Sequence, residues 1–152
     1  MKLKNAILLL AGTALFSGMV AASVLAQPGC VGSQCNGRDP QSSGCASDAK
    51  TIGENSTTYW DGVGRYTLRV QLRYSPRCQA GWIIADRVMK GSQFILRDAK
   101  SNNLLQYTAN VNGQVRGDMS GERNRGFQAC VSLPSGQNRP GMFCTNPVPN
   151  PS

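Results

Sequence analysis

The chain has 152 residues, with 16 Lys and Arg against eight Asp and Glu, and no histidine. The missing imidazole excludes Ser-His-Asp and Cys-His catalysis, histidine acid–base pairs and histidine metal sites. The length suits a single domain with a real core once a leader is set aside.

That leader is residues 1–26. Lys2 and Lys4 form a charged start, Ala6 to Phe16 an apolar run, and Val24-Leu25-Ala26 a small or aliphatic stretch before a cut ahead of Gln27. This is the pattern of a signal peptide. A membrane anchor needs about 20 predominantly apolar residues; Gly12, Thr13, Ser17, Gly18 and Ser23 interrupt this run. Without Lys2 and Lys4, fourteen Lys and Arg face eight acids, a net of +6. The expected product is a secreted or periplasmic, extracytoplasmic monomer with no integral membrane span after cleavage.

Residues 27–145 are read as one disulfide-rich β domain. All six cysteines (Cys30, Cys35, Cys45, Cys78, Cys130 and Cys144) lie in it. An even number in an exported chain reads as disulfides. Zinc is the rival, but there is no Cys-x-x-Cys pair and no histidine, so the usual zinc spacings are missing. Six cysteines allow 15 pairings, and the choice stays open at this point. No metal and no cofactor are expected.

The lead-in, residues 27–57, is rich in Gly, Ser, Asn, Gln and Asp. Asn36-Gly37 and Asp39-Pro40 are turn signals. Residues 46–52 are read as a possible helical turn, and Thr57-Thr58-Tyr59-Trp60 as a short β-prone piece stopped by Asp61-Gly62-Val63-Gly64. From Tyr66 to Tyr74 the chain alternates without a break. Tyr66, Leu68, Val70, Leu72 and Tyr74 share one parity, and Arg65, Thr67, Arg69, Gln71 and Arg73 the other. That is a half-buried strand with an apolar and a basic face. Further strands are expected at Gly81 to Val88, Ser92 to Arg97, Leu104 to Val111, Gln114 to Arg116, Phe127 to Leu133 and Gly141 to Thr145. Asn112-Gly113 reads as a hairpin turn. Strands recurring about every ten residues, with no helical periodicity, predict an all-β fold: a small disulfide-stapled antiparallel sandwich or barrel with a turn-rich N-terminal lead-in. The Pro-rich tail, residues 146–152, is expected to be disordered.

Three segments together carry a family resemblance: Cys30 to Thr51, Leu72 to Trp82, and Gln128 to Cys130 followed by Phe143 to Thr145. They resemble the YjfA-like family, small secreted bacterial proteins with a domain of unknown function. The resemblance spans most of the exported part and all six cysteines. Many relatives carry Ala-Arg after the tryptophan; Ile83-Ile84-Ala85 stands here, so no role for a basic residue carries over. The resemblance implies an exported disulfide-containing domain. Relatives that place such a domain after a membrane segment and a helix-turn-helix module imply extracellular sensing or binding.

The candidate anion-binding residues are Arg65, Arg69, Arg73 and Arg77. Three share a strand face, and guanidinium forks suit phosphates and carboxylates. The bland alternative is an ordinary solvated strand face. Specific nucleic-acid binding is not expected, because Tyr66 and Tyr74 fall on the opposite parity from the arginines. Tyr59, Trp60, Trp82 and Tyr107 are candidates for carbohydrate stacking, with Trp60 the most exposed of them and Trp82 in the core. The carboxylates mostly read as turn and cap residues, and Asp86 as a partner for an arginine of the neighbouring strand. The favoured reading is a non-enzymatic binding or structural module of the envelope, contacting anionic polymers through the arginine face. The rivals are a polysaccharide hydrolase using two carboxylates, and a secreted inhibitor or effector using Arg139 or Met142 in the Cys130–Cys144 loop.

Overall fold

The computed structural model describes residues 27–136, 141–149 and 151. The signal peptide read over residues 1–26 lies outside the described residues, as does Arg139. Eight strands follow three short 3-10 turns or enclose them: β1 (Lys50–Trp60), β2 (Arg65–Ser75), β3 (Ala80–Val88), β4 (Gln93–Arg97), β5 (Asn103–Thr108), β6 (Gly113–Arg116), β7 (Gln128–Ser132) and β8 (Met142–Cys144). They form two four-stranded antiparallel sheets, ordered β1-β2-β3-β6 and β5-β4-β7-β8. Of the two expected architectures the chain adopts the sandwich. Among the described residues there is no α-helix, and none long and apolar enough to cross a membrane.

The alternation of β2 sets the core. Leu68, Val70, Leu72 and Tyr74 are fully buried and meet Phe94, Leu96, Ala129 and Val131 of the second sheet. β3 adds Ile83 and Ala85 from the same side. Each side chain of this kind stabilises the fold by about 1.5–3 kcal/mol when removed from water.

A second, smaller core lies on the reverse of the first sheet. Trp82 stands opposite Arg73, on the parity that points away from the sandwich interior. It is nevertheless 1% exposed, packed with Met119, Ala80 and the sulfurs of Cys30, Cys35, Cys45 and Cys78. The lead-in therefore acts as a lid over this face. Disulfides Cys30–Cys35 and Cys45–Cys78 staple it, and backbone bonds such as Gly32 N to the Cys78 carbonyl (2.8 Å) seat it. The third bridge, Cys130–Cys144, joins directly opposed residues of β7 and β8.

Two expectations change. β1 begins at Lys50, where the helical turn was expected; the turn itself is a 3-10 turn over Cys45–Ser47. β1 is an edge strand with only Tyr59 buried, so its polar sequence hides it. Asn112-Gly113 does not close a hairpin, because β5 and β6 belong to different sheets. Trp82 is in the core as expected, within the smaller of the two clusters. Within the tail, the Val148 N–H and carbonyl both bond Phe127 (2.8 and 2.9 Å), and Pro151 is buried. Residues 150 and 152 lie outside the described set.

Candidate functional site

The outer face of the first sheet carries the arginines. β2 presents Arg65, Thr67, Arg69, Gln71 and Arg73 there, as its alternation requires. The cations differ in how far they are engaged. Arg69 donates to Glu54 at 2.6 Å, and Gln71 joins the same carboxylate at 2.9 Å. The Arg69 and Gln71 bonds hold the Glu54 carboxyl below its usual range, and Glu54 in turn raises the Arg69 guanidinium. Asp86 faces Arg69 from β3 and accepts from Gln114 of β6. Among the described residues the arginine pairing expected for Asp86 is not made as an ion pair: Asp86 stands opposite Arg69, and its hydrogen bond is with Gln114.

Arg73 is drawn under the lead-in. It donates to the Ala49 carbonyl (2.8 Å) and to Thr51 Oγ1 (2.7 Å). Arg77 sits in the β2–β3 turn, its backbone N–H held by Asp48 at 3.0 Å. Arg65 is exposed at the far end of the strand, opposite Trp60, which is 46% exposed. Among the described residues Arg65 makes no ion pair. The structure therefore does not bring the four arginines together as equivalent groups.

The hairpin end where Trp60 and Arg65 sit also holds two clefts. One, of about 260 Å³, is lined by residues including Tyr59, Asp61, Tyr66, Arg87, Met89 and Asn112. The other, of about 370 Å³, is lined by Thr58, Tyr59, Trp60 and Arg65. A third cleft, of about 510 Å³, lies at the opposite loops around Asp98, Lys100 and Arg125. Tyr107, weighed as a stacking residue, packs on Phe94 with ring centroids 5.3 Å apart. Its hydroxyl donates to Asp118 at 3.0 Å; burial first, and that bond second, push it up to about 12.

All eight carboxylates have partners. Asp39 accepts from Ser42 N and Gln41 N and pairs with Arg116; the Ser42 bond leads in holding it below its usual range. Asp48 bonds Ser75 Oγ and the Arg77 N–H, tying the lead-in to the β2–β3 turn. Asp61 caps Val63 N and Gly64 N. Asp98 takes both donors of Asn102 and the Lys100 N–H, and Asn102 above all keeps it low. Glu122 meets Arg125 and Asn36. None of the three clefts is lined by two carboxylates.

What the linear sequence did not reveal is the sulfur cluster. The four Sγ atoms of Cys30, Cys35, Cys45 and Cys78 all lie within 4.8 Å of one another, and Cys30 and Cys45 are 3.9 Å apart across the two bridges. Their spacings of 5 and 33 residues carry no such signal.

The fold and site define a small, disulfide-bonded antiparallel β-sandwich, chemistry that suits an oxidising extracytoplasmic environment. A family model described as a protein of unknown function, DUF2690, matches residues 33–127, more than half of the chain, and the chain belongs to that family. The match ends before β7 and so leaves out the Cys130–Cys144 bridge. No curated protein and no solved structure matches the chain.

Proposed function

We propose that this chain is an exported, non-enzymatic binding module that contacts anionic polymers of the cell envelope through the Arg65 end of its basic strand face. The leader over residues 1–26 is removed, and the domain begins at Gln27. Its placement among YjfA-like secreted proteins belongs to the same reading. The observation that carries it is the pairing of Arg65 with Trp60 across β1 and β2, both exposed, while Arg69 and Arg73 are engaged within the protein. A free guanidinium beside an exposed indole is a surface for an anionic, ring-containing ligand.

The hydrolase reading has less support, since the carboxylates are engaged by turn N–H groups, arginines, Gln114 or Tyr107, and none of the three clefts described is lined by two of them. The inhibitor reading rests on a loop whose Met142 is 47% exposed and whose Arg139 lies outside the described residues.

The test is retention of the oxidised protein on an immobilised polyanion through a salt gradient. Net charge alone retains a basic protein, so Arg65→Gln is compared with Arg123→Gln, an exposed arginine elsewhere. Earlier elution of the Arg65 variant supports the proposal; equal shifts reduce the interaction to net charge and overturn it. Intact mass of the secreted protein, starting at Gln27, checks the export step.

A further inference from the structure

Cysteine sulfurs from separate stretches of chain meet under the lead-in: Cys30 and Cys35 at its start, Cys45 in the second 3-10 turn, and Cys78 in the β2–β3 turn. All four Sγ atoms lie within 4.8 Å of one another. In the oxidised chain two disulfides use them. Two bridges do not require this arrangement, because each needs only its own partner in reach. The closeness of one bridge to the other is a further property of the fold. Cys30 and Cys45, which are not bonded to each other, stand 3.9 Å apart. Four thiolates at about 2.3 Å from one zinc ion, set tetrahedrally, stand about 3.8 Å from each other. The folded chain thus gathers the sulfurs to nearly the spacing of a tetrahedral site, which their linear spacing does not announce.

The surroundings suit a closed structural site. Cys35, Cys45 and Cys78 are fully buried and Cys30 is 4% exposed, with Trp82, Met119 and Ala80 packed among them. Structural zinc takes all its ligands from the protein and keeps no open position. Zinc with four thiolates is a dianion, and a buried anion needs donors and cations beside it. Trp82 lies in the same cluster, and its indole Nε1 is buried with no hydrogen-bond partner among the described residues. A thiolate accepts a hydrogen bond more strongly than a neutral sulfur does. Arg73 stands opposite Trp82 in the register and donates to the carbonyl of Ala49, which packs against the cluster. Its Nε is likewise buried without a partner among the described residues. The oxidised chain leaves both N–H groups idle.

We propose that the reduced chain binds one zinc ion through Cys30, Cys35, Cys45 and Cys78, and that the metal then holds the lead-in where two disulfides hold it in the oxidised chain. The two states exclude each other. Oxidation takes four electrons from the four thiolates, passes them to two equivalents of a small disulfide, forms the two bridges and releases the ion. In the other direction, one phosphine per bridge opens it to two thiols and leaves as the phosphine oxide, with its oxygen from water. Zn2+ then displaces the four thiol protons. Cys130 and Cys144 stay outside the site, paired on β7 and β8. A zinc-held lead-in is independent of what the basic strand face binds.

The experiment titrates the secreted protein, reduced with a phosphine under nitrogen, first with Co2+ and then with Zn2+. Cobalt reports its ligands: four thiolates in a tetrahedron give intense visible bands and a sulfur-to-metal charge-transfer band, and zinc abolishes both by displacement. The expected result is saturation at one ion per chain with the four-thiolate spectrum. Zinc should also restore the resistance of the lead-in to limited proteolysis. Cys45→Ser should lose the spectrum. Cys144→Ser, at a partly exposed position on the other sheet, should keep it; circular dichroism of both checks the strands. Failure of the reduced protein to take up metal would refute the site, as would equal loss of the spectrum in the two variants. Metal uptake that leaves the lead-in as sensitive to protease as in the metal-free reduced protein would be scavenging by loose thiols, and would overturn the proposal too.

Discussion

Arg69 and Glu54 meet at 2.6 Å across β2 and β1, and both side chains remain nearly half exposed. The pair neutralises the middle of the face that the sequence presents as uniformly basic. Exposed pairs contribute little to stability. Arg69→Gln is therefore expected to leave the thermal midpoint almost unchanged. A large drop on melting would show that the Glu54–Arg69 pair is structural.

Acid should weaken the fold through Asp39, Glu54 and Asp98. All three carboxyls lie below their ordinary values of 3.8, 4.5 and 3.8 when folded. The unfolded chain binds more protons in the intervening window, so this stabilisation is complete above the ordinary values. It is lost as pH falls through the folded ones. Melts at a series of pH values should show a fall beginning below about pH 4.5, with a flatter acid limb in Asp98→Asn.

Tyr107 acts at the other end of the scale. Its folded value of about 12 lies above the ordinary 10.0, because burial and Asp118 favour the neutral phenol. Its stabilisation is fully present below pH 10 and declines as pH rises toward 12. Tyr107→Phe should remove that part of the alkaline decline, read by near-ultraviolet dichroism. An identical alkaline limb would mean that Tyr107 ionises without hindrance.

Trp82 anchors the lid. Trp82→Ala should cost about 3–5 kcal/mol in chemical denaturation. The indole Nε1 is buried without a hydrogen-bond partner among the described residues. Trp82→Phe therefore loses packing but no polar contact, and should cost clearly less. Equal losses would show that the indole nitrogen has a partner.

Gly121 passes so close to the lead-in that a methyl group at its Cα would stand 1.8 Å from the Gly32 carbonyl oxygen. Backbone cannot yield to that clash locally. Gly121→Ala is expected to lift the lead-in, costing about 1–3 kcal/mol or more and opening it to limited proteolysis. A variant as resistant as the parent would show that the contact is slack.

The legible part of this fold was the part in which one face of a strand is buried. The alternation from Tyr66 to Tyr74 located β2 and its two faces, and the turn chemistry of Asp39 and Asp61 was readable from neighbouring residues. β1 was mostly missed because an edge strand with one buried residue has no apolar signature; β2 supplies its pairing. Trp82 was assigned to the core, but only the folded lead-in shows that it belongs to a second one. The engagement of Arg69 and Arg73 depends on Glu54 and Ala49, contacts set by register and not by local pattern.

The sulfur cluster bears on how the molecule is made. Four cysteines admit three pairings, and here all four sulfurs already lie within one small volume. Exchange between the two bridges needs no large movement of the chain, so oxidation can close this corner in more than one way while the sandwich behind it is complete. Covalent isomers of nearly identical shape are the expected product of uncatalysed oxidation. Cys130 and Cys144, set apart on β7 and β8, take no part in that exchange.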